Sequence, residues 1–302
     1  MAVPVSNGTA IVDALVASAR RKASPVVLGL DPDPRHLPPE ISERVRERAL
    51  TETEGIREFC LGVLEAVGPE AAAVKLQLAY FERLGPAGMR LYADLIGAAG
   101  ELELPTIADA KRGDVEHVAA AYAEAHLSVY GATSITVNPY MGADAVKPFL
   151  DEARWLGRGG GVFLLVATSN PSAQDLQDSS TPPAYEVAAR LVASLGRVGA
   201  SGYPDAGAVV GATHPQLGRR VREILPNALF LAPGYGAQKG DASGVRALLD
   251  SGGAGVLVNS SRGILRAFES PDAPSFGGDY RSAARDAARR MRGELASAGV
   301  GV

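Results

Sequence analysis

Residues 107–115 of the 302-residue chain read IADAKRGDV, an apolar strand-like opening that runs directly into two carboxylates and two cations. Asp109 and Lys111 are two apart, so on a strand they project from one face. Ile107 shares that face, which makes its direction inward. Inward charges are costly to desolvate unless opposite charges sit beside them. Lys75, in the apolar run AAAVKLQ, is placed to be such a neighbour and to give alternating ammonium and carboxylate groups that fix one ammonium in place. The plainer reading of Asp109 and Lys111 is a structural ion pair. For Asp114 it is the N-cap of the helix beginning VEHVAAAYA, which is compatible with function.

A second group of residues suits an anion. In PGYGAQKGD (233–241) and NSSRGI (259–264), small residues let backbone N–H groups approach closely. Gln238 adds a donor, and Arg262 adds paired charge-assisted bonds. Together they point to a phosphorylated ligand.

Other chemistries find less support. GRGGG (157–161) leads into a strand, whereas a dinucleotide fingerprint follows one and opens a helix, so it reads as a turn. No Walker A sequence is present, and the four histidines have no metal-ligand spacing. A metal held by Asp side chains stays open. The single Cys60 lies in an apolar helical pattern, reads as a core residue, and excludes an intrachain disulfide framework.

The elements that must position these residues are legible as a series. Apolar, β-branched runs occur at 25–31, 71–77, 104–111, 133–139, 161–169, 206–213, 228–234 and 254–261, as expected for parallel strands covered on both faces. Helical patterns separate them, among them HVAAAYAEAHLSVYG and PQLGRRVREILP. Eight such units without a composition break predict one α/β domain over 1–302, a closed (β/α)8 TIM barrel. It carries an N-terminal helix at about 8–22 and a C-terminal helix at about 279–297. An open doubly wound sheet is the alternative. In a barrel the site lies at the C-terminal strand ends, where Asp31, Lys75, Asp109 with Lys111, Asn138 and Ser169 gather. The polar stretch SNPSAQDLQDSSTPPAYE after the fifth run reads as a surface loop or an active-site lid.

Composition bounds the setting. Hydrophobic residues make up 46% and charged residues 21%, a globular balance, and the net charge of -4 argues against a general nucleic-acid binder. The N-terminus has amphipathic spacing, with basic residues after the apolar part, unlike a signal peptide. No segment approaches the roughly 18 apolar residues of a membrane span. A soluble, cytoplasmic protein is expected.

These motifs also carry a family resemblance. DAKRGDV resembles the D-x-K-x-x-D signature of orotidine 5'-phosphate decarboxylase. The words GLDPDP, VKLQLAYFE, DAKRGD, TSNP, PGYGAQKGD and VNSSRG, in order from 29 to 263, look like its type 2 branch. The resemblance implies that Asp31 and Lys75 contact the ribose hydroxyls and complete the charge network. Asp109, Lys111 and Asp114 would surround the reacting carbon, and Ser169 would bond the pyrimidine ring. Gln238 and Arg262 would hold the phosphate, with Ser261 nearby. It further implies a homodimer in which Asp114 serves the partner's site, orotidine 5'-phosphate and UMP as ligands, and no metal or organic cofactor. Val118 departs from the pattern: it stands where the family usually has a threonine reaching across the dimer, and valine cannot make that hydrogen bond.

The implied reaction removes CO2 from C6 of orotidine 5'-phosphate, with Lys111 stabilising and then protonating the carbanion. Two rivals share features with it. A related sugar-phosphate decarboxylase or aldolase would use the same motif with Mg²⁺, and so would be sensitive to EDTA. A non-catalytic binding or scaffold barrel would be expected to lack Lys111 or one of its Asp partners; all three are present.

Overall fold

The computed structural model describes residues 12–236, 240–271 and 279–302. Eight parallel strands close on one another in sequence order. They are β1 (Val26–Leu30), β2 (Ala73–Gln77), β3 (Thr106–Arg112), β4 (Ser134–Val137), β5 (Val162–Ala167), β6 (Ala206–Val210), β7 (Phe230–Ala232) and β8 (Val256–Ser260). β8 pairs back onto β1, which makes the sheet a barrel and sets aside the open-sheet alternative. The strands are shorter than the apolar runs that announce them. Of the run 228–234 only three residues pair as strand.

Both strand faces are buried, for two different reasons. Outward residues such as Leu28, Leu30, Val74 and Leu76 pack with Ile56, Phe59 and Val63 of the helix Glu52–Val67. That helix opens with a reciprocal cap, in which Thr51 and Glu54 satisfy each other's backbone amides. The last helix, Tyr280–Ser297, lies against it, with the rings of Phe59 and Tyr280 5.4 Å apart. Inward residues Val27, Ala73, Ile107, Phe163, Val209, Leu231 and Leu257 form a second apolar cluster.

Val12, Leu15, Val16 and Ala19 close that second cluster, three of them from the helix Asp13–Lys22. Leu15 is 0% exposed, a burial that contributes about 1.5–3 kcal/mol. The N-terminal helix therefore plugs the bottom of the barrel and leaves the opposite end for polar groups. Residues 8–11 of the expected helix lie outside the described residues.

The segment after β3 forms the helix Glu116–Ala123, continues as a π-helical stretch Glu124–Val129, and ends before Gly131 at φ +82°. Its buried His126 packs against Tyr92 and Tyr130, and burial, with Arg112 nearby, lowers its pKa to about 4. Cys60 is fully buried, which pushes its thiol pKa up. After β5 the chain makes a short 3-10 turn (Pro171–Ala173) and a one-turn helix (Gln174–Gln177) before the helix Ala184–Leu195. Among the described residues no helix is long and apolar enough to cross a membrane.

Candidate active site

The centre of the site is the Asp109 carboxylate, which is gripped from both neighbouring strands. Parallel pairing sets Gln77 beside Asp109, and Lys75 lies two residues earlier on β2, on the same face. Lys75 Nζ donates to Asp109 Oδ2 at 2.5 Å, and Gln77 Nε2 donates to the same oxygen at 2.9 Å. The other oxygen, Oδ1, accepts from the Lys111 ammonium and from Thr136 Oγ1 of β4 at 3.0 Å. Four donors occupy the carboxylate, so it is held as an anion.

The electrostatics agree with the geometry. Burial alone would raise the pKa of Asp109, which is 7% exposed, but the Lys75 and Lys111 ammoniums outweigh it. The carboxyl is held well below its usual range. Lys75 is 4% exposed, and burial would lower its pKa. The charges of Asp109 and Asp31 overcome that, raise the pKa, and keep the ammonium protonated. Lys111 differs from Lys75 in exposure: its side chain is 43% exposed, so a fixed cation faces the open mouth of the barrel.

Lys111 does not continue the strand as its spacing suggested. It has φ +49°, the left-handed region, which costs a non-glycine residue of order 1–3 kcal/mol. The β3–β4 register shifts between Ala108 and Arg112, so Asp109, Ala110 and Lys111 together face Thr136. Asp109 and Lys111 meet through this bulge rather than through a regular two-residue alternation.

Asp31 follows β1, and its Oδ1 is buried with no hydrogen-bond partner among the described residues. Asp114 is half-buried, and its Oδ1 accepts from Val115 N at 2.8 Å. The capping reading is corrected here. The N-cap of the helix Glu116–Ala123 is Val115, with no side-chain cap, because it is Val115, at ψ 155°, that holds the non-helical backbone before the first helical residue. Asp114 makes none of the bonds to Asp109 or Lys111 described above. Val118 sits half-buried in the first turn of the same helix.

Ser169 lies just past β5 and packs against the exit of β6. A Cβ on Gly211 would come within 2.9 Å of the Ser169 Cβ, so the glycine makes room for it. The segment beyond is tied back by Gln177, whose amide accepts from Thr168 N at 3.0 Å and donates to Thr168 Oγ1 at 2.7 Å. Cavities of about 730 and 680 Å³ flank this segment, and both are lined by Thr168, Gln177 and Tyr185. They adjoin the exits of β4, β5 and β6 rather than the charge array.

Ser261 and Arg262 follow β8, with Arg262 exposed at the start of a short helix. Ser261 Oγ fills the space over Gly29 of β1, where a Cβ would be 2.0 Å away. Gln238 lies outside the described residues. Its flanking residues Gly236 and Gly240 are hydrogen-bonded at 2.8 Å. Asn138 turns back on its own loop, accepting from Tyr140 N, and does not join the array. Among the described residues no group of three or more His, Cys, Asp or Glu side chains is placed to hold a metal ion.

Sequence reasoning missed Gln77, Thr136 and Asn259, whose Oδ1 is buried near the end of β8 with no hydrogen-bond partner among the described residues. Gln77 had a signal, since it is two residues from Lys75 and shares its face. Thr136 had none without the β3–β4 register.

Comparison with known proteins gives the same family from two directions. The orotidine 5'-phosphate decarboxylase / HUMPS family model matches residues 24–273. The orotidine 5'-phosphate decarboxylase of Rhodopirellula baltica is 40% identical over 263 residues, covering 83% of this chain and 86% of the relative. That of Deinococcus radiodurans is 41% identical over 241 residues, covering 80% and 85%. The structure of Leishmania donovani OMP decarboxylase superposes with a TM-score of 0.74 at 30% identity, covering 97% of this chain and 100% of that one. With a match that runs from the strand before Asp31 to beyond Arg262, the chain belongs to the orotidine 5'-phosphate decarboxylase / HUMPS family.

Proposed function

We propose that this protein is a carboxy-lyase that converts orotidine 5'-phosphate to UMP and CO2 in pyrimidine biosynthesis. The observation that carries the reading is the Lys75–Asp109–Lys111 array, in which one exposed ammonium is fixed by a saturated, buried carboxylate. The bond from C6 to the substrate carboxylate breaks, CO2 leaves, and its electron pair stays on C6. The Lys111 ammonium sits where that charge develops, a preorganised electrostatic stabilisation that needs no movement at the moment of reaction. Lys111 Nζ then gives its proton to C6 and is reprotonated from solvent. Asp109, with all four acceptor positions engaged, orients Lys111 and takes no proton itself.

The remaining roles follow from position and family membership. The unpartnered Asp31 Oδ1 suits a ribose hydroxyl, with Lys75 beside it. Ser169 bonds the pyrimidine ring. Gln238, Ser261 and Arg262 take the phosphate, and binding energy from that remote dianion is spent on positioning the reacting ring. Asp114, whose carboxylate accepts from Val115 N and is not among the donors and acceptors of its own chain's array, serves the site of a second copy, which makes the working unit a homodimer. The protein acts in the cytoplasm on a free nucleotide, without metal or organic cofactor, nucleic acid or membrane.

The test is the ultraviolet absorbance change of orotidine 5'-phosphate with purified protein, with and without EDTA. Turnover unaffected by EDTA is expected. Turnover abolished by EDTA and restored by Mg²⁺ would overturn the metal-free mechanism. Folded protein with no turnover would refute the reading.

A further inference from the structure

We propose that Thr136 is a positioning residue that fixes the Lys111 ammonium before substrate arrives; this rests on the reading of Lys111 as the group that meets C6. Thr136 lies on β4 and is 1% exposed, so its hydroxyl is buried, as is that of Ser134, which accepts from Gly161 N at 3.0 Å on the side of β5. Across from it, β3 spends three residues, Asp109 to Lys111, where β4 spends one. Bulged residues lose their ladder partners, and the Thr136 hydroxyl supplies the replacement. Its Oγ1 accepts from Lys111 N at 3.0 Å and stands 3.0 Å from Asp109 Oδ1.

A hydroxyl has one proton to donate, and the two candidate acceptors are unequal. Asp109 Oδ1 is an anion at 3.0 Å, while Ala108 O is a neutral carbonyl at 3.5 Å. The proton therefore goes to the carboxylate. Because Lys111 Nζ bonds the same Oδ1, the contacts close a ring from the Lys111 amide, through Thr136 Oγ1 and Asp109 Oδ1, back to the Lys111 ammonium. Both ends of one lysine are thereby tied to one hydroxyl–carboxylate pair. This accounts for a lysine held at φ +49°. The left-handed turn aims the side chain back over Asp109, and Thr136 keeps the turn from relaxing. Beyond it the ladder resumes, with Asn138 N donating to Arg112 O at 2.7 Å.

The experiment compares Thr136→Val, which keeps shape and loses the hydroxyl, with Thr136→Ala, which avoids setting a methyl against the carboxylate, and with Thr136→Ser, which keeps the hydroxyl. Loss of a hydrogen bond to a charged group predicts a kcat lower by about 30-fold in the Val and Ala variants, with KM within about threefold of wild type. The Ser variant should recover kcat to within about threefold of wild type. Amide hydrogen exchange in ligand-free protein reads the contact without turnover. The Lys111 amide should exchange at least about tenfold faster in the Val and Ala variants and be unchanged in Ser. A kcat within about threefold of wild type in either hydroxyl-free variant overturns the role. So does a Ser variant as impaired as Val, or a raised KM with kcat intact. A Lys111 amide already unprotected in the wild type also overturns it. A wild-type chain that fails to decarboxylate orotidine 5'-phosphate overturns the underlying reading, whereas an active wild type with an unaltered Val variant overturns only Thr136.

Discussion

Replacing Lys75 by Met removes one cation from a buried array and strands the carboxylate it served. Lys75 and Asp109 are nearly inaccessible, and their 2.5 Å bond joins two strands. Removing one partner of a buried pair costs about 3–5 kcal/mol, because the other charge stays out of water. Asp109 keeps Gln77, Thr136 and Lys111, so the lower end, about 3 kcal/mol, is expected. At an unfolding entropy of about 2.1 cal/mol/K per residue, that lowers Tm by about 5 °C for a chain of this length.

The loss should depend on pH, and its sign is set by Asp109. In the wild type its folded pKa is depressed, so the array contributes stability above the unfolded carboxylate value of about 3.9 and loses it only as pH falls below that value. In Lys75→Met the burial remains while the largest cationic influence is gone, so the Asp109 pKa rises from its depressed wild-type position, and the expected outcome is that it passes the unfolded value. The variant's deficit should then shrink as pH falls from 7 toward about 4.5. Thermal melts of both proteins at the two pH values measure it. Adding Asp109→Leu should return part of the lost Tm at pH 7, since no charge is then left stranded. A deficit below about 1 kcal/mol at pH 7, or one equal at both pH values, would refute the reasoning.

Arg262→Ala should lower kcat/KM for orotidine 5'-phosphate by about 10–100-fold, the worth of hydrogen bonds to a charged group, and leave residual turnover of the nucleoside orotidine unchanged. Steady-state kinetics on both substrates decide it, and equal proportional losses would place Arg262 away from the phosphate. Lys111→Ala and Asp114→Ala should each be folded and inactive. Mixed, partly unfolded and refolded together, they should regain about a quarter of wild-type activity, since half the dimers are hybrids with one intact site each. Confirmed hybrids without regained activity would show that Asp114 serves its own chain.

The eight strands were legible because a strand covered on both faces is apolar along most of its length, and VVLGL, VFLLVA and AGAVV say so locally. The N-terminal helix was legible through its amphipathic spacing, although nothing local says that its apolar face, with Leu15 and Val16, plugs the barrel. The pairing of Lys75 with Asp109 could be inferred, since consecutive strands of a βαβ unit are neighbours and both residues lie toward their C-terminal ends.

What sequence by itself determined is the inventory: barrel strands, a carboxylate–lysine array on the third, and small and cationic residues after the seventh and eighth. The tertiary structure alone decided how the array is held. Gln77 and Thr136 reach Asp109 across 32 and 27 residues of chain, and Lys111 turns left-handed where three residues face one. Strand register, burial and the shared carboxylate are properties of pairs of segments brought together by closure of the barrel. A spacing rule applied to one strand assumes regular alternation, and at Lys111 the contact with β4 outweighs it.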